Sequence, residues 1–284
     1  MSGRRATERR MSWWVTRPYQ TGRRPIRTGG LAILLAYSAS IATSGCGPIV
    51  PDPRVPLPVP LPAVEGARPS VGSGIFVGAL FGDGFWGPER ERAELTGTSL
   101  GFGFADRIEV GFDEYVSNRT IDDANGVPHR GATAETVRAK VVVKESADGA
   151  WAFGLVAAYS TAARTVSNVQ DESASSLDLA LPVEFETLSN PAPGRRIGLY
   201  GGPRFILKSF EDRLATAEQQ SKDSGMAWGA LLGLRSRIGW LHLAAEGSVM
   251  RSPRLQAGAY GSEDGWMFIP ALTAKLVVPI GEGN

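Results

Sequence analysis

The chain contains two histidines, His129 and His242, which are the side chains best suited to serve as the base of a hydrolase. His242 shares one face of a predicted strand with Glu246 and Ser248. Positions four apart on a strand are separated by about 13 Å, too far for a direct hydrogen bond. The predicted hairpin places Arg235 opposite His242, and a cation cannot orient a neutral imidazole as a carboxylate does. His129 falls in a predicted loop. We therefore expect no catalytic residue and a structural role for His242.

The N-terminal residues 1–45 have the composition of a targeting signal. They carry eight arginines and one acidic residue. An apolar run over residues 29–43 has signal-peptide length, and it is shorter than the roughly 20 apolar residues of a membrane-spanning helix. Met11 is an alternative start to Met1. The remaining chain holds 22 basic and 28 acidic side chains, a balance that argues against nucleic acid as a partner.

The chain's single cysteine, Cys46, directly follows this signal in the sequence Thr43-Ser44-Gly45-Cys46. This junction resembles the lipobox of bacterial lipoproteins, with Thr43 at the position usually held by leucine. The resemblance implies that Cys46 is acylated and becomes the mature N-terminus. The alternative is cleavage by an ordinary signal peptidase, which would leave Cys46 as a free thiol. One cysteine cannot form an internal disulfide.

Residues 46–70 are rich in proline that alternates with apolar residues, which favours polyproline II over a packed fold. We interpret this stretch as a linker that tethers the following domain to a membrane surface. A proline-rich docking ligand is the alternative.

From residue 71 to residue 284 the dominant pattern is alternation with period two, interrupted by polar and glycine-rich connections. In residues 176–187, for example, leucine, valine and phenylalanine occupy one face and mostly polar residues the other. About ten strands are predicted, near residues 72–82, 97–105, 107–117, 134–145, 150–162, 176–188, 195–209, 225–237, 240–251 and 265–280. Short turns alternate with long polar connections, a pattern typical of transmembrane barrels. The short turns are predicted near Ala105-Asp106, Ala147-Asp148-Gly149, Asn190-Pro191 and Ile238-Gly239.

Charged residues recur on the face that the alternation assigns to the interior. Neighbouring strands offer opposite charges, which can pair across the sheet in a narrow lumen. The predicted lumenal charge network consists of Glu109, Asp113, Arg138, Lys140, Glu184, Glu186, Arg196, Arg204 and Lys208. The inferred sets place Glu109 and Asp113 against Arg138, Lys140 and Lys144, and they place Asp178, Glu184 and Glu186 against Arg196, Arg204 and Lys208.

This pattern resembles the small outer-membrane β-barrels of Gram-negative bacteria, without the motif of a specific family. The resemblance implies an all-β, antiparallel up-and-down barrel, with outer-membrane lipid and the barrel-assembly machinery as partners. Trp151, Tyr159, Trp228 and Trp266 would form interfacial girdles. Ten strands leave little free lumen, so we expect an anchor, a surface interaction platform or a narrow pore, with no cofactor and no metal. An outer-membrane hydrolase and a lipid-tethered, lipocalin-like periplasmic barrel are the alternatives.

Overall fold

The structure is a computed structural model that describes residues 62–86, 91–120, 128–165, 171–186, 195–212, 221–252 and 265–280. The predicted signal, Cys46 and the first part of the linker lie outside the described residues, as does the predicted turn at Asn190-Pro191. Within the ranges that are described, no helix has the length and apolar character that a membrane span requires.

The described chain forms eleven antiparallel β segments. They are β1 (Gly74–Trp86), β2 (Glu91–Phe104), β3 (Ile108–Thr120), β4 (Pro128–Glu145), β5 (Trp151–Thr165), β6 (Asp171–Ala180), β7 (Val183–Glu186), β8 (Arg195–Asp212), β9 (Ser221–Ile238), β10 (Leu241–Ser252) and β11 (Gly265–Pro279).

The segments close into a ten-strand barrel, because β6 and β7 are two halves of one strand. Both pair with β5 on one side and with β8 on the other. Leu181 and Pro182 separate the halves, since Pro182 has no amide hydrogen to donate to the ladder. The sheet closes where β1 pairs with β11 as well as with β2. The predicted all-β antiparallel barrel of about ten strands is confirmed.

Several strands run further than the alternation predicts. β4 begins at Pro128, and not near residue 134, while β9 begins at Ser221, and not near residue 225. The additional residues are mostly polar, so they carry no alternating apolar signal. Backbone pairing continues past the apolar zone because it does not depend on which side chains are present.

Tight turns lie at one end of the barrel, which we call the short-turn rim. Ala105 and Asp106 adopt positive φ angles of 52° and 56° there, and Gly149 and Gly239 have φ of 70° and 59°. The opposite end, where connections of four to twelve residues begin and end, is the long-connection rim. The connection between β7 and β8, at the short-turn rim, is also eight residues long. The β9–β10 turn falls one residue later than predicted, because Ile238 pairs with Leu241.

The barrel wall has an apolar outer face and a more polar inner face. In β6 and β7, Leu177 and Phe185 are exposed on the outside, whereas Asp178, Ala180 and Glu184 are buried. Tyr159, Trp228 and Trp266 are also exposed, and Trp151 is half-buried with the Lys144 ammonium 5.9 Å from its ring centre. Exposed Leu, Val, Ile and Phe side chains recur on nearly every strand, so the outer wall is suited to an apolar solvent.

Candidate functional site

The lumen of the barrel is occupied by the chain's own residues 62–73, which precede β1 and which we call the lumenal segment. Ala63, Val64, Glu65 and Ala67 in this segment are at most 4% exposed. Residues 62–70 fall within the stretch assigned above to the linker, and the sequence analysis did not anticipate their position inside the barrel. The segment has no regular secondary structure, so its backbone groups need partners on the wall.

Two wall carboxylates accept hydrogen bonds from the amides of the lumenal segment. Glu246 on β10 accepts from the amide of Val64 at 3.1 and 3.0 Å and from that of Glu65 at 3.0 Å. Glu184 on β7 accepts from the amides of Ala67 and Arg68 at 3.0 and 3.1 Å. Each carboxylate thus binds two successive backbone amides, and charge-assisted bonds of this kind are stronger than neutral ones.

Wall cations bind the carbonyl oxygens of the same segment. The Lys140 ammonium donates to the carbonyls of Glu65 and Arg68 at 3.2 and 3.4 Å. Arg235 donates to the Arg68 carbonyl at 2.9 Å, and its Nε lies 2.7 Å from the Glu184 carboxylate. The wall therefore recognises the backbone of the segment through both its donors and its acceptors.

The side chain of Glu65 lies at the centre of a buried charge cluster. Its carboxylate is 3.0 Å from Arg138 Nη1 and also bonds the Lys275 ammonium. The Lys140 ammonium lies nearby, on the carbonyl of the same residue. The carboxylate of Glu65 is therefore surrounded by three wall cations that complement a negative charge.

Arg68 and Ser70 attach the segment near the short-turn rim. The Arg68 guanidinium lies 3.0 Å from Glu145 and 3.4 Å from both Glu184 and Glu186. It also donates to a backbone carbonyl of the β4–β5 turn at 2.7 Å. The amide of Ser70 bonds the Glu109 carboxylate. The predicted lumenal residues Glu109, Glu184 and Glu186 thus bind the segment as well as the wall.

Glycines at two positions allow the close approach of segment and wall. Gly66 has φ of 87°, and a Cβ added there would lie 2.8 Å from the Glu184 carboxylate. A Cβ on Gly154, in β5, would lie 2.6 Å from the Ala67 carbonyl oxygen. Any larger residue at position 154 would collide with the backbone of the lumenal segment. The segment can therefore approach β5 this closely only because residue 154 is glycine.

A second charge network joins wall strands to one another. Arg204 on β8 pairs with Asp178 on β6, donates to the Ser248 hydroxyl at 2.7 Å and lies 3.8 Å from Glu246. Sequence reasoning set Arg204 against Asp178, Glu184 and Glu186 without choosing among them. The register favours Asp178, which lies two positions from Ala180, the residue opposite Arg204, whereas Glu184 lies opposite Tyr200.

The structure places the remaining predicted charges in different environments. Arg138 Nε lies 2.8 Å from Asp113, and Lys140 lies opposite Glu109 in the β3–β4 register. Lys208 is buried, with its ammonium 3.4 Å from the Met267 sulfur. In contrast, the Arg196 side chain is 69% exposed and lies 3.5 Å from Glu186, so it belongs to the rim.

His242 is buried, and its Nε2 atom has no hydrogen-bond partner among the described residues. Its cross-strand neighbours are Arg237 and Lys275. A turn at Ile238-Gly239 would place Arg235 there, and the observed turn, one residue later, places Arg237 there instead. The side chain of His129 lies outside the described residues. Within the described ranges, no three His, Cys, Asp or Glu side chains are grouped closely enough to hold a metal ion.

Sequence reasoning missed several residues that bind the lumenal segment or belong to it. They are Glu65, Arg68, Arg235, Glu246 and Lys275, of which Arg235 and Glu246 were considered only as neighbours of His242. The sequence Glu65-Gly66-Ala67-Arg68 could have indicated this role. It introduces an acidic residue, a basic residue and a glycine where the alternation of proline and apolar residues ends. Lys275 could have indicated a buried ionic partner in the same way, because it is a charged residue within a mostly apolar strand.

Comparisons with known proteins return structural matches alone. No protein-family model and no curated protein sequence matches the chain. The translocator domain of the autotransporter NalP from Neisseria meningitidis has 12% identity and a TM-score of 0.40, over 88% of this chain and 96% of that one. Neisserial surface protein A has 12% identity and a TM-score of 0.36, over 72% and 98%. The outer membrane protease OmpT from Escherichia coli has 10% identity and a TM-score of 0.32, over 72% and 96%.

Proposed function

We propose that the chain is an outer-membrane β-barrel whose lumen is closed by its own lumenal segment. In this proposal it acts as a non-enzymatic anchor and surface platform and does not conduct as an open pore. The observation that carries the proposal is the segment itself, which is bound on several sides by charged wall residues inside a barrel with an apolar exterior.

The apolar exterior supports placement in a membrane. Leu232 and Trp266 are 64% and 66% exposed on the outer wall, and such side chains gain free energy when a bilayer covers them. A lipocalin-like soluble barrel requires the reverse arrangement, with an apolar interior. Here the interior contains Arg138, Lys140 and Glu184, each at most 2% exposed.

The bound segment supports a closed lumen. A barrel of ten strands has little free interior once its side chains are placed, and here that interior also contains a length of polypeptide. Because the segment is held by ionised side chains on the wall, its removal would leave several buried charges without partners, which is costly. We therefore expect the closed state to be the resting state.

The surroundings of His242 support a role without catalysis. A histidine base in a hydrolase is oriented by a carboxylate and acts on a nearby nucleophile or water. The cross-strand neighbours of His242 are cations instead. The outer-membrane hydrolase is therefore not the function that this geometry favours.

The membrane placement is tested by Leu232→Arg, with Leu232→Phe as the matched control. Arginine facing the middle of a bilayer costs about 2–4 kcal/mol in a barrel, so Leu232→Arg should reduce the folded protein in purified outer membranes. Fractionation, followed by gel migration with and without heating, measures this amount. Leu232→Phe should behave as the wild type. Equal recovery of both variants, or wild-type protein found only in the soluble fraction, would contradict the placement.

The closed lumen is tested by planar-bilayer recording. The wild type should show little or no conductance. Deletion of residues 62–70 should give frequent openings in protein that still shows the gel shift of a folded barrel. A large steady conductance in the wild type would contradict the proposal, as would a folded deletion variant that is equally closed.

A lipid anchor at Cys46 is the remaining part of the proposal, and it rests on the resemblance of residues 43–46 to a lipobox. Mass spectrometry of the mature N-terminal peptide should show acyl chains on Cys46. An unmodified N-terminus would remove the anchor and leave the closed barrel unaffected.

A further inference from the structure

The lumenal segment has a defined direction inside the barrel. Its last residue, Ser73, lies at the short-turn rim, where its carbonyl accepts from Ile280 and its hydroxyl from the amide of Ala105. Its first residues lie deeper. Ala63 belongs to a buried cluster with Tyr115 and Ala162, which lie well along β3 and β5 from that rim. The chain therefore runs from the interior toward the short-turn rim as it approaches β1.

Bonds between the lumenal segment and the wall cross the short-turn half of the lumen. Residues 64–70 of the segment bond β3, β4, β7, β9, β10 and β11, so they reach the wall on nearly every side. The wall groups involved are Glu109, Arg138, Lys140, Glu145, Glu184, Arg235, Glu246 and Lys275. A chain that entered from the short-turn rim and then turned back would have to pass through this layer twice. The ion pairs that span the layer, such as Glu65 with Arg138 at 3.0 Å, would have to break to admit a second passage.

We infer that the chain enters the lumen through the long-connection rim and passes down the barrel into β1. The residues that precede Pro62 are then presented on the side of the long connections. In an outer-membrane barrel that side faces the cell exterior. This inference rests on the proposed membrane placement, and it makes the N-terminal stretch around Cys46 an element of the cell surface.

The length of the chain is compatible with this path. Cys46 lies sixteen positions before Pro62, and a proline-rich chain in polyproline II extends about 3 Å per residue, or roughly 50 Å over this distance. The half of the barrel beyond Ala63 is shorter, since a whole transmembrane strand of about ten residues spans the bilayer. The stretch is thus long enough to pass from the middle of the lumen to the outer surface.

The experiment inserts one short epitope tag at each of three sites and probes cells with antibody before and after permeabilisation. The test site follows Asp52. Two reference sites report barrel orientation, one after Gly261 in a long connection and one after Gly149 in a short turn. The Gly261 tag should be recognised on intact cells, whereas the Gly149 tag should be recognised only after permeabilisation. The Asp52 tag should be recognised on intact cells, at a level similar to that of the Gly261 tag.

The two proposals fail in distinguishable ways. If the reference tags behave as expected but the Asp52 tag is recognised only after permeabilisation, the path through the long-connection rim is wrong and the membrane barrel stands. If the reference tags are reversed or both hidden, the membrane placement itself is wrong.

An inserted epitope tag could itself prevent the chain from passing through the lumen, so a single-residue probe is used as a second test. In the full-length protein, Val50→Cys should react with a membrane-impermeant maleimide on intact cells, read by mass spectrometry of its own peptide. Gly149→Cys, at the short-turn rim, is the matched control and should react at least tenfold less. Equal protection of both cysteines in intact cells would overturn the inference.

Discussion

Two charge networks occupy the barrel, and they differ in what they join. The Arg204–Asp178 network connects wall strands to each other. The Glu65 network connects the wall to a segment without secondary structure. The first is built from residues whose positions follow from strand register. The second depends on a backbone path that strand register does not specify.

This difference implies that the wall-to-wall network stabilises the barrel, whereas the segment-to-wall network keeps the lumen closed. Loss of a wall-to-wall pair leaves an uncompensated charge in a sheet that cannot move away. Loss of a segment-to-wall pair can be relieved when the segment leaves the lumen. We therefore expect the first network to control the stability of the barrel and the second to control its conductance.

The largest effect is expected for Glu65→Lys. This change places a cation against Arg138, Lys140 and Lys275, and breaking a buried ion pair costs about 3–5 kcal/mol. The segment should leave the lumen, and planar-bilayer recordings should change from closed to frequently open. Glu65→Gln keeps the shape of the side chain and should open the barrel less. Unchanged conductance in Glu65→Lys would show that the segment does not close the pore.

Arg204→Met should lower the stability of the barrel with little change in conductance. It leaves Asp178 buried without its ionic partner, at a cost of about 3 kcal/mol. The measurement is the temperature at which the folded form is lost on gels. The double variant Arg204→Met with Asp178→Leu should recover most of the loss, because the unpaired charge of Asp178 is then removed as well. If the double variant is less stable than the single variant, Arg204 and Asp178 do not stabilise the barrel mainly through their interaction with each other.

Gly154→Ala should weaken the binding of the lumenal segment by steric collision alone. Its Cβ would lie 2.6 Å from the Ala67 carbonyl, and overpacking costs about 1–3 kcal/mol. Gly247→Ala is the control, since its Cβ would meet only the Phe268 ring at 3.3 Å on the outer wall. Openings should increase in Gly154→Ala and not in Gly247→Ala. The same increase in both variants would mean that the effect does not come from the segment.

Arg196→Ala should have the smallest effect. The Arg196 side chain is 69% exposed and its carboxylate partner lies 3.5 Å away, and exposed ion pairs contribute about 0–1 kcal/mol. Arg235→Ala is the comparison, because Arg235 holds Glu184 at 2.7 Å and is 13% exposed. Heat stability and conductance should change clearly only in Arg235→Ala. A larger change in Arg196→Ala would place that residue in the lumen.

Much of the wall could be predicted from the sequence, and the content of the lumen could not. Period-two alternation predicted about ten strands and separated the two faces of each, because a strand between apolar and polar surroundings must alternate. The same parity located Asp178, Glu184 and Arg204 on one side of the sheet. It did not give their partners, since the pairing of Arg204 with Asp178 depends on the register between β6 and β8, which neither strand specifies by itself.

The sequence by itself determined that this chain forms a closed antiparallel barrel with charge on one face and apolar side chains on the other. That information is local, because each strand carries its own alternation. Only the tertiary structure decided that residues 62–73 lie inside the barrel and that Glu184 and Glu246 hold their amides. Those contacts join positions more than a hundred residues apart, and an irregular segment has no periodicity from which its partners could be inferred.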